Sequence, residues 1–144
     1  MARNTIVLTM AFAVGVAGGS TATRLAAQPA REAACGSASM PQVRTTLYFG
    51  TSRPVGAVSE LEWQLFLRDE VTSRFPDGLT AWDAQGQWRD AGGTVAHERS
   101  KVLLLVHADT AAARESVQAV IARYRKMFDQ QAVLWETARV CAAL

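Results

Sequence analysis

The chain has 144 residues, enough for one domain with a single core and too few for two domains of ordinary size. Hydrophobic residues make up 49% of it and charged residues 19%, which excludes disorder throughout. The formal net charge is only +2, and no basic run is interleaved with aromatic residues, so we expect no nucleic acid partner.

The first residues have the pattern of a secretory signal peptide. After a short basic start, an apolar run extends from Ile6 to Ala17, well short of the ~20 residues that a membrane-spanning helix needs. Small residues then predict cleavage after Ala22, or as late as Ala27. We therefore predict a signal peptide over residues 1–22, no stable membrane span after processing, and a secreted or periplasmic protein. An uncleaved anchor is the alternative.

Two cysteines, Cys35 and Cys141, lie near the two ends of the predicted mature chain. An even pair in an exported protein favours a disulfide, and two unpaired buried thiols are the alternative. Cys35 follows Pro29, Arg31 and Glu32 rather than the apolar run, so we predict that it carries no lipid. A bridge closing a loop of roughly 100 residues contributes ~4 to 5 kcal/mol in the chain-entropy model.

A flexible leader is predicted over residues 23–41 and a single α+β domain over residues 42–144. Alternating apolar residues predict strands, and apolar residues at a spacing of three and four predict helices. The predicted elements are a strand over Val43–Gly50, a helix from Ser59 to about Arg74, a hairpin within Phe75–Val106, a helix from Asp109 or Thr110 to about Phe128, and a strand over Ala132–Cys141. Within the hairpin, we expect a break at Gly86 and the turn at Gly92–Gly93.

The first predicted helix begins at a capping box formed by Ser59 and Glu62. Its main apolar face is Trp63, Phe66, Leu67 and Val71. A second stripe, Leu61 and Leu65, requires cover from a loop, the leader or another subunit. The second helix has one apolar face, formed by Val117, Val120, Ile121, Tyr124 and Phe128.

This order predicts the ferredoxin-like split βαβ fold (βαββαβ), a four-stranded antiparallel sheet with two helices on one face and strands one and three in the middle. The segment Val102–Val106 is apolar at every position, as expected of a central strand. The first strand then begins beside the end of the fourth. This proximity allows Cys35 and Cys141 the ~4.4 to 6.8 Å between α-carbons that a disulfide requires.

Several motifs together resemble the bacterial exported family catalogued as domain of unknown function 3574. They are Phe75-Pro76-Asp77-Gly78-Leu79-Thr80, Asp83, Gly86-Gln87-Trp88-Arg89, Glu98-Arg99-Ser100-Lys101-Val102, Leu47-Tyr48-Phe49-Gly50, and the helix residues Trp63, Phe66 and Val71. The resemblance spans about Val43 to Cys141. It implies a small exported protein and supplies no catalytic residue.

Metal and nucleophile chemistry find little support. His97, His107, Glu98, Asp83 and Asp109 all lie near the hairpin, but a continuous strand would place the two histidines ~33 Å apart. No HxH, HxxxH or CxxC spacing is present. Ser100 has no glycine elbow around it. We therefore predict no metal site and no cofactor.

The candidate ligand-binding residues are polar and aromatic: Tyr48, Asp83, Trp88, Arg89, Glu98, Arg99 and Lys101. In the predicted fold one face of the sheet is open, and Arg44, Thr46 and Tyr48 point towards it. A small polar ligand would suit such a surface. The alternative is that the charges are solvated or paired across strands and the tryptophans close the hairpin onto the core.

The alternation also places residues of Val102–Val106 on the open face, which favours contact with a partner. A homodimer through this face, or a complex with another envelope protein, is expected. Our leading hypothesis is a non-catalytic binding or interaction module of the bacterial cell envelope. One alternative is a small enzyme of the dimeric α+β barrel type using Tyr48, Glu98 and Lys101, and another is a purely structural secreted protein.

Overall fold

In the computed structural model, residues 35–89 and 92–143 are described. The predicted signal peptide and most of the predicted leader lie outside these residues. The described part forms the predicted succession of elements. They are β1 (Met40–Gly50), α1 (Glu60–Phe66) continued by a π-helical segment (Leu67–Thr72), β2 (Thr80–Arg89), β3 (Val95–His107), α2 (Ala111–Phe128) and β4 (Leu134–Ala142).

The four strands form one antiparallel sheet in the order β2-β3-β1-β4. Strands β1 and β3 are therefore central, as predicted. With two helices packed on one face, this arrangement confirms the ferredoxin-like α+β fold.

The core lies between the sheet and the helices. On β1, Leu47 and Phe49 are fully buried because alternate residues of a strand share one face. Phe49 packs against Tyr124 of α2 and Trp63 of α1, with ring centroids 4.5 and 5.4 Å apart. By contrast, Leu61 is 70% exposed, so the described residues do not cover the second stripe of α1.

Both predicted helix starts are present. The Ser59 hydroxyl accepts a hydrogen bond from the Glu62 amide, and the Glu62 carboxylate accepts one from the Ser59 amide. Of the two residues proposed to cap α2, Thr110 is the cap and accepts from the Ala113 amide. The first helix differs from the prediction because its α-helical turns end at Phe66 and wider π-helical turns follow.

The hairpin lies where it was predicted and is more regular than expected. Gly86 pairs with Glu98 inside the ladder, so the expected break at this glycine is wrong. A β-carbon there would lie 3.0 Å from the Ser100 hydroxyl, which explains a glycine at a regular strand position. Gly93, with φ 85°, lies between the strands, where a positive φ favours glycine.

Cys35 and Cys141 form the predicted disulfide, with their α-carbons 5.5 Å apart. The bridge ties the segment before β1 to the end of β4, beside the pair Met40–Ala142. Such bonds are typical of proteins in oxidising compartments. Within residues 35–89 and 92–143, no helix is long and apolar enough to cross a membrane.

Candidate functional site

The face of the sheet opposite the helices carries an apolar band, here called the open-face row. Its four members, Trp82, Val102, Tyr48 and Leu134, are paired directly across β2, β3, β1 and β4. Paired residues of antiparallel strands share a face. At the two ends of the row, Trp82 is 44% and Leu134 is 69% exposed. Between them, Val102 is buried, with 2% exposure, so the exposed apolar area of the row lies mainly at its two ends.

Tyr48 is at the centre of this face, as the alternation of β1 predicted. Its hydroxyl donates to the Glu136 carboxylate at 3.2 Å. Burial, together with the negative charge of Glu136, raises the pKa of Tyr48. A tyrosine is protonated at neutral pH even without this shift, so its hydroxyl is available as the donor to Glu136.

Glu98 lies on the same face beside Gly50. A β-carbon built on Gly50 would come within 2.7 Å of the Glu98 carboxylate, so only glycine permits this approach. The Gly50 carbonyl also accepts a hydrogen bond from the Tyr124 hydroxyl at 2.9 Å. Any larger residue at position 50 would displace Glu98 from its present position.

Lys101 and Asp83 lie on the other face, covered by the helices. The Lys101 ammonium contacts Glu60 and Asp83, both at 2.5 Å, and lies 6.0 Å from the centroid of the Trp63 ring. Burial opposes the charged form of Lys101, but the hydrogen bonds to both carboxylates outweigh it and raise the pKa of the ammonium. The same hydrogen bonds lower the pKa of Asp83 and of Glu60.

The ammonium borders a cavity of about 310 Å³ whose lining includes Leu67, Leu79 and Trp82. Sequence reasoning did not select Glu60, because its partner is remote in the chain and the acidic first turn of a helix already has a local explanation. With both carboxylates bound, Lys101 carries a firmly held positive charge. It is suited to electrostatic contact and unsuited to acting as a nucleophile.

The remaining candidates lie along the hairpin. Arg89 donates to the Gly93 carbonyl at 2.7 Å across the turn. The backbone carbonyl of Arg99 accepts a hydrogen bond from the Thr51 hydroxyl at 2.8 Å, and the Arg99 side chain is exposed. Trp88 pairs with Ala96 in the ladder, and its side chain lies outside the described part of the structure.

The seven candidates therefore do not form one cluster. Strand register assigns Tyr48 and Glu98 to the open face, and Asp83, Arg89, Arg99 and Lys101 to the opposite one. In particular, the three polar groups of the enzyme alternative are divided, since Lys101 points away from Tyr48 and Glu98. His97 and His107, which the sequence analysis considered and rejected as ligands of one metal ion, lie on one strand, β3. No group of three metal-ligating side chains occurs in the described ranges.

A second cavity, of about 230 Å³, was not predicted. It lies between α2 and the edge strand β4, and its lining includes His107, Asp109, Arg114, Trp135 and Thr137. His107 and Asp109 were visible in the sequence only as weak metal candidates. Arg114 and Thr137 carried no signal, because their meeting depends on how α2 crosses the sheet.

Comparison with known proteins gives a family and a fold. The profile of a family described as protein of unknown function (DUF3574) matches residues 44–144. No curated protein matches the chain.

Among solved structures, a phage SAM lyase in complex with S-methyl-5'-thioadenosine is 13% identical, with a TM-score of 0.52, covering 80% of this chain and 97% of its own. A phage SAM lyase in the apo state is also 13% identical, with a TM-score of 0.53, and the match covers 72% of this chain and 90% of the lyase. CutA from Synechococcus elongatus PCC7942, complexed with a Bis-Tris molecule, is 13% identical, with a TM-score of 0.48 and coverage of 74% and 88%. The likeness to the lyase shows a shared fold alone.

Proposed function

The chain belongs to the DUF3574 family, and we propose that it is a non-catalytic interaction module of the bacterial cell envelope that self-associates through the open face of its sheet. The observation that carries this proposal is the open-face row, an apolar band that crosses all four strands and that no described helix covers. Large apolar side chains that are exposed together on one sheet face, such as Trp82 and Leu134, are typical of contact surfaces.

The band extends beyond the row. In the adjoining positions of β3, Leu104 is half-buried and Val106 is 40% exposed, and both lie on the same face. Burying one large aliphatic or aromatic side chain contributes ~1.5 to 3 kcal/mol. The exposed apolar side chains of both copies would contribute in this way, against the free energy that association costs in translational and rotational freedom.

A second copy of this chain is the partner that the charges favour. Arg44 and Glu136 are both exposed on the open face, in adjacent rows beside the apolar band. In a two-fold contact, a patch meets its own image, so Arg44 of one copy can lie against Glu136 of the other. A strongly acidic or basic partner would find no such match.

The disulfide supports placement in the envelope, since Cys35 and Cys141 are bonded and the sequence begins with the pattern of an export signal. The enzyme alternative receives less support. Its candidate groups Tyr48 and Glu98 are on the open face, whereas Lys101 is held between Glu60 and Asp83 beneath the helices.

Multi-angle light scattering of the oxidised protein, without its signal peptide, tests the proposal. We expect about twice the mass of one chain at micromolar concentration. Leu134→Glu places two buried charges in the contact and removes two leucines. The dissociation constant of the dimer should therefore rise at least ~100-fold. The matched control is Val55→Glu, because Val55 is 89% exposed in the loop after β1.

The control variant should associate like the parent protein, and both variants should show the same thermal melting by circular dichroism. A parent protein that stays monomeric at 100-fold higher concentration would exclude self-association. Equal loss of association in both variants would show that added negative charge, rather than the open face, is responsible.

A further inference from the structure

The cavity between α2 and β4 has a rigid polar floor. Thr45 is fully buried, and its hydroxyl lies 2.9 Å from the His107 Nε2. The His107 Nδ1 lies 2.9 Å from the Ala108 carbonyl, which can only accept, so Nδ1 carries the hydrogen. In the neutral ring, Nε2 then accepts from Thr45. Both ring nitrogens are engaged, which fixes the imidazole as part of the wall.

The sides of the cavity are apolar. Val43 projects from β1, Val117 from α2, and Trp135 from β4. Val117 is buried, whereas Trp135 remains 45% exposed and presents its indole to the opening. The volume of about 230 Å³ corresponds to about seven or eight waters at ~30 Å³ each, the size of a small organic molecule.

The mouth of the cavity carries two guanidinium groups, those of Arg114 and Arg139. The Arg114 guanidinium contacts the Asp109 carboxylate at 2.5 Å, and the Arg139 guanidinium approaches the other oxygen of Asp109 at 3.9 Å. Both guanidinium groups therefore approach the same carboxylate, and the amino end of α2, capped by Thr110, adds its partial positive charge. Arg114 makes no second hydrogen bond to the described residues, although a guanidinium carries five N–H donors.

We propose that this cavity binds a small organic carboxylate with an apolar or aromatic body. The carboxylate would pair with Arg114 at the mouth, where planar guanidinium matches planar carboxylate. The body would lie against Trp135, Val43 and Val117, and the Thr137 hydroxyl at the rim is available as a further donor. The site lies on the helix-covered face and does not rest on self-association through the open face.

The apolar walls distinguish this ligand class from inorganic anions. Phosphate would gain from Arg114 and from the end of α2, but it would leave the surface of Trp135 and Val117 without a partner. A neutral molecule of the same shape would fill the walls and leave the remaining donors of the Arg114 guanidinium without an anionic partner. Both properties together are needed, and a benzoate ion has both.

The test is a titration of the ¹⁵N-labelled, oxidised protein with sodium benzoate at constant ionic strength, followed by amide chemical shifts. We expect saturable shifts confined to the segments around His107–Arg114 and Trp135–Arg139. For a ligand of this size, the dissociation constant should be on the order of 1 mM. Benzamide and inorganic phosphate, titrated in the same way, should bind at least tenfold more weakly.

Three variants locate the site. Arg114→Gln should weaken benzoate binding about tenfold, equivalent to about 1.4 kcal/mol. Arg125→Gln removes the same charge from the last turn of α2 and should leave binding unchanged. Thr137→Trp fills the cavity from the exposed edge strand without altering charge, and should abolish binding.

Absence of saturable shifts up to 20-fold above the expected dissociation constant would overturn the proposal. It would equally be overturned if phosphate or benzamide bound as well as benzoate, or if Arg114→Gln and Arg125→Gln had the same effect. Thr137→Trp retaining full affinity would show that the ligand lies on the surface and not in the cavity. A monomeric but benzoate-binding protein would refute self-association and leave this inference intact.

Discussion

At the level of single residues, Lys101 shows how burial and pairing are balanced. Its side chain is 11% exposed, while those of its partners, Glu60 and Asp83, are 62% and 66% exposed. The loss of a partner therefore costs the three charged groups different amounts of free energy. A carboxylate that loses its partner can turn to water, whereas a buried ammonium cannot.

This asymmetry predicts different consequences for removing each side of the cluster. Lys101→Met keeps the aliphatic stem against Trp63 and should lower the midpoint of urea unfolding only slightly. The double variant Glu60→Gln with Asp83→Asn leaves the Lys101 ammonium without a counter-charge, at an expected cost of about 1 to 3 kcal/mol. Both are measured by urea denaturation monitored through tryptophan fluorescence.

Asp69→Asn is the control, because it removes the exposed pair Arg68–Asp69 and should change the midpoint little. If Lys101→Met were the more destabilising change, the ammonium itself would have to contribute more than its desolvation costs. The interaction of the Lys101 ammonium with the Trp63 ring would then have to be stronger than their separation of 6.0 Å suggests.

At the level of elements, the sequence predicted what depends on short-range patterns. The capping box of Ser59 and Glu62, the all-apolar run of β3 and the alternation of β1 each determine a local structure that the fold retains. The π-helical segment escaped prediction because it depends on remote contacts. There, the Glu70 carboxylate binds Arg74 and, at 2.6 Å, Arg123 of α2, so both Glu70 and Val71 are buried in consecutive positions.

The candidate site was less predictable than the fold, for a reason visible on β4. Successive residues of this strand face opposite sides, so Leu134 contributes to the open-face row while Trp135 lines the cavity beneath α2. Alternation shows that the two residues differ in orientation. Which groups they meet depends on sheet order and on the path of α2, and neither is encoded in a window of the sequence.

The start of α1 should make stability depend on pH. Hydrogen bonds from the Ser59 amide, from Arg53 and from the Ser59 hydroxyl lower the pKa of Glu62 from 4.5 to about 2. A carboxylate with a depressed pKa stabilises the fold above the unfolded-state pKa, and this contribution is lost as the pH falls through the folded-state value. The stability difference between the parent protein and Glu62→Gln should therefore be constant above about pH 5 and shrink between about pH 4.5 and 2.

Thr110→Ala is the matched control, since it removes the cap of α2 without removing a carboxylate. It should cost about 1 kcal/mol, as expected for a lost amino-terminal cap, at every pH in this range. Urea midpoints at several pH values measure both differences. A Glu62→Gln difference that persisted unchanged at pH 2 would mean that the depressed pKa of Glu62 contributes nothing to folding.

At the scale of the whole molecule, the sheet separates two surfaces with different chemistry. The open face offers an apolar band flanked by Arg44 and Glu136, suited to a second copy of the chain. The helix-covered face offers a cavity with the Arg114 guanidinium at its mouth, for which we proposed a small carboxylate as the ligand. Because the surfaces are on opposite sides, occupation of one leaves the other accessible.

The disulfide connects the two ends of the described fold and should make a large contribution to its free energy of unfolding. Cys35 and Cys141 are 106 residues apart in the chain, so the bridge constrains nearly the whole described fold when it unfolds. Loop-closure entropy predicts that Cys35→Ser with Cys141→Ser lowers the free energy of unfolding by about 4 to 5 kcal/mol, with less if the reduced chain retains structure.

The parent protein treated with a reducing agent is the control and should unfold at the same urea concentration as the double variant. Since the antiparallel pairing of β1 with β4 is independent of the bridge, the variant should keep the same far-ultraviolet circular dichroism spectrum in the absence of urea. A double variant as stable as the oxidised parent would mean that the pairing of β1 with β4 alone holds the two ends together, and that the bridge contributes little to stability.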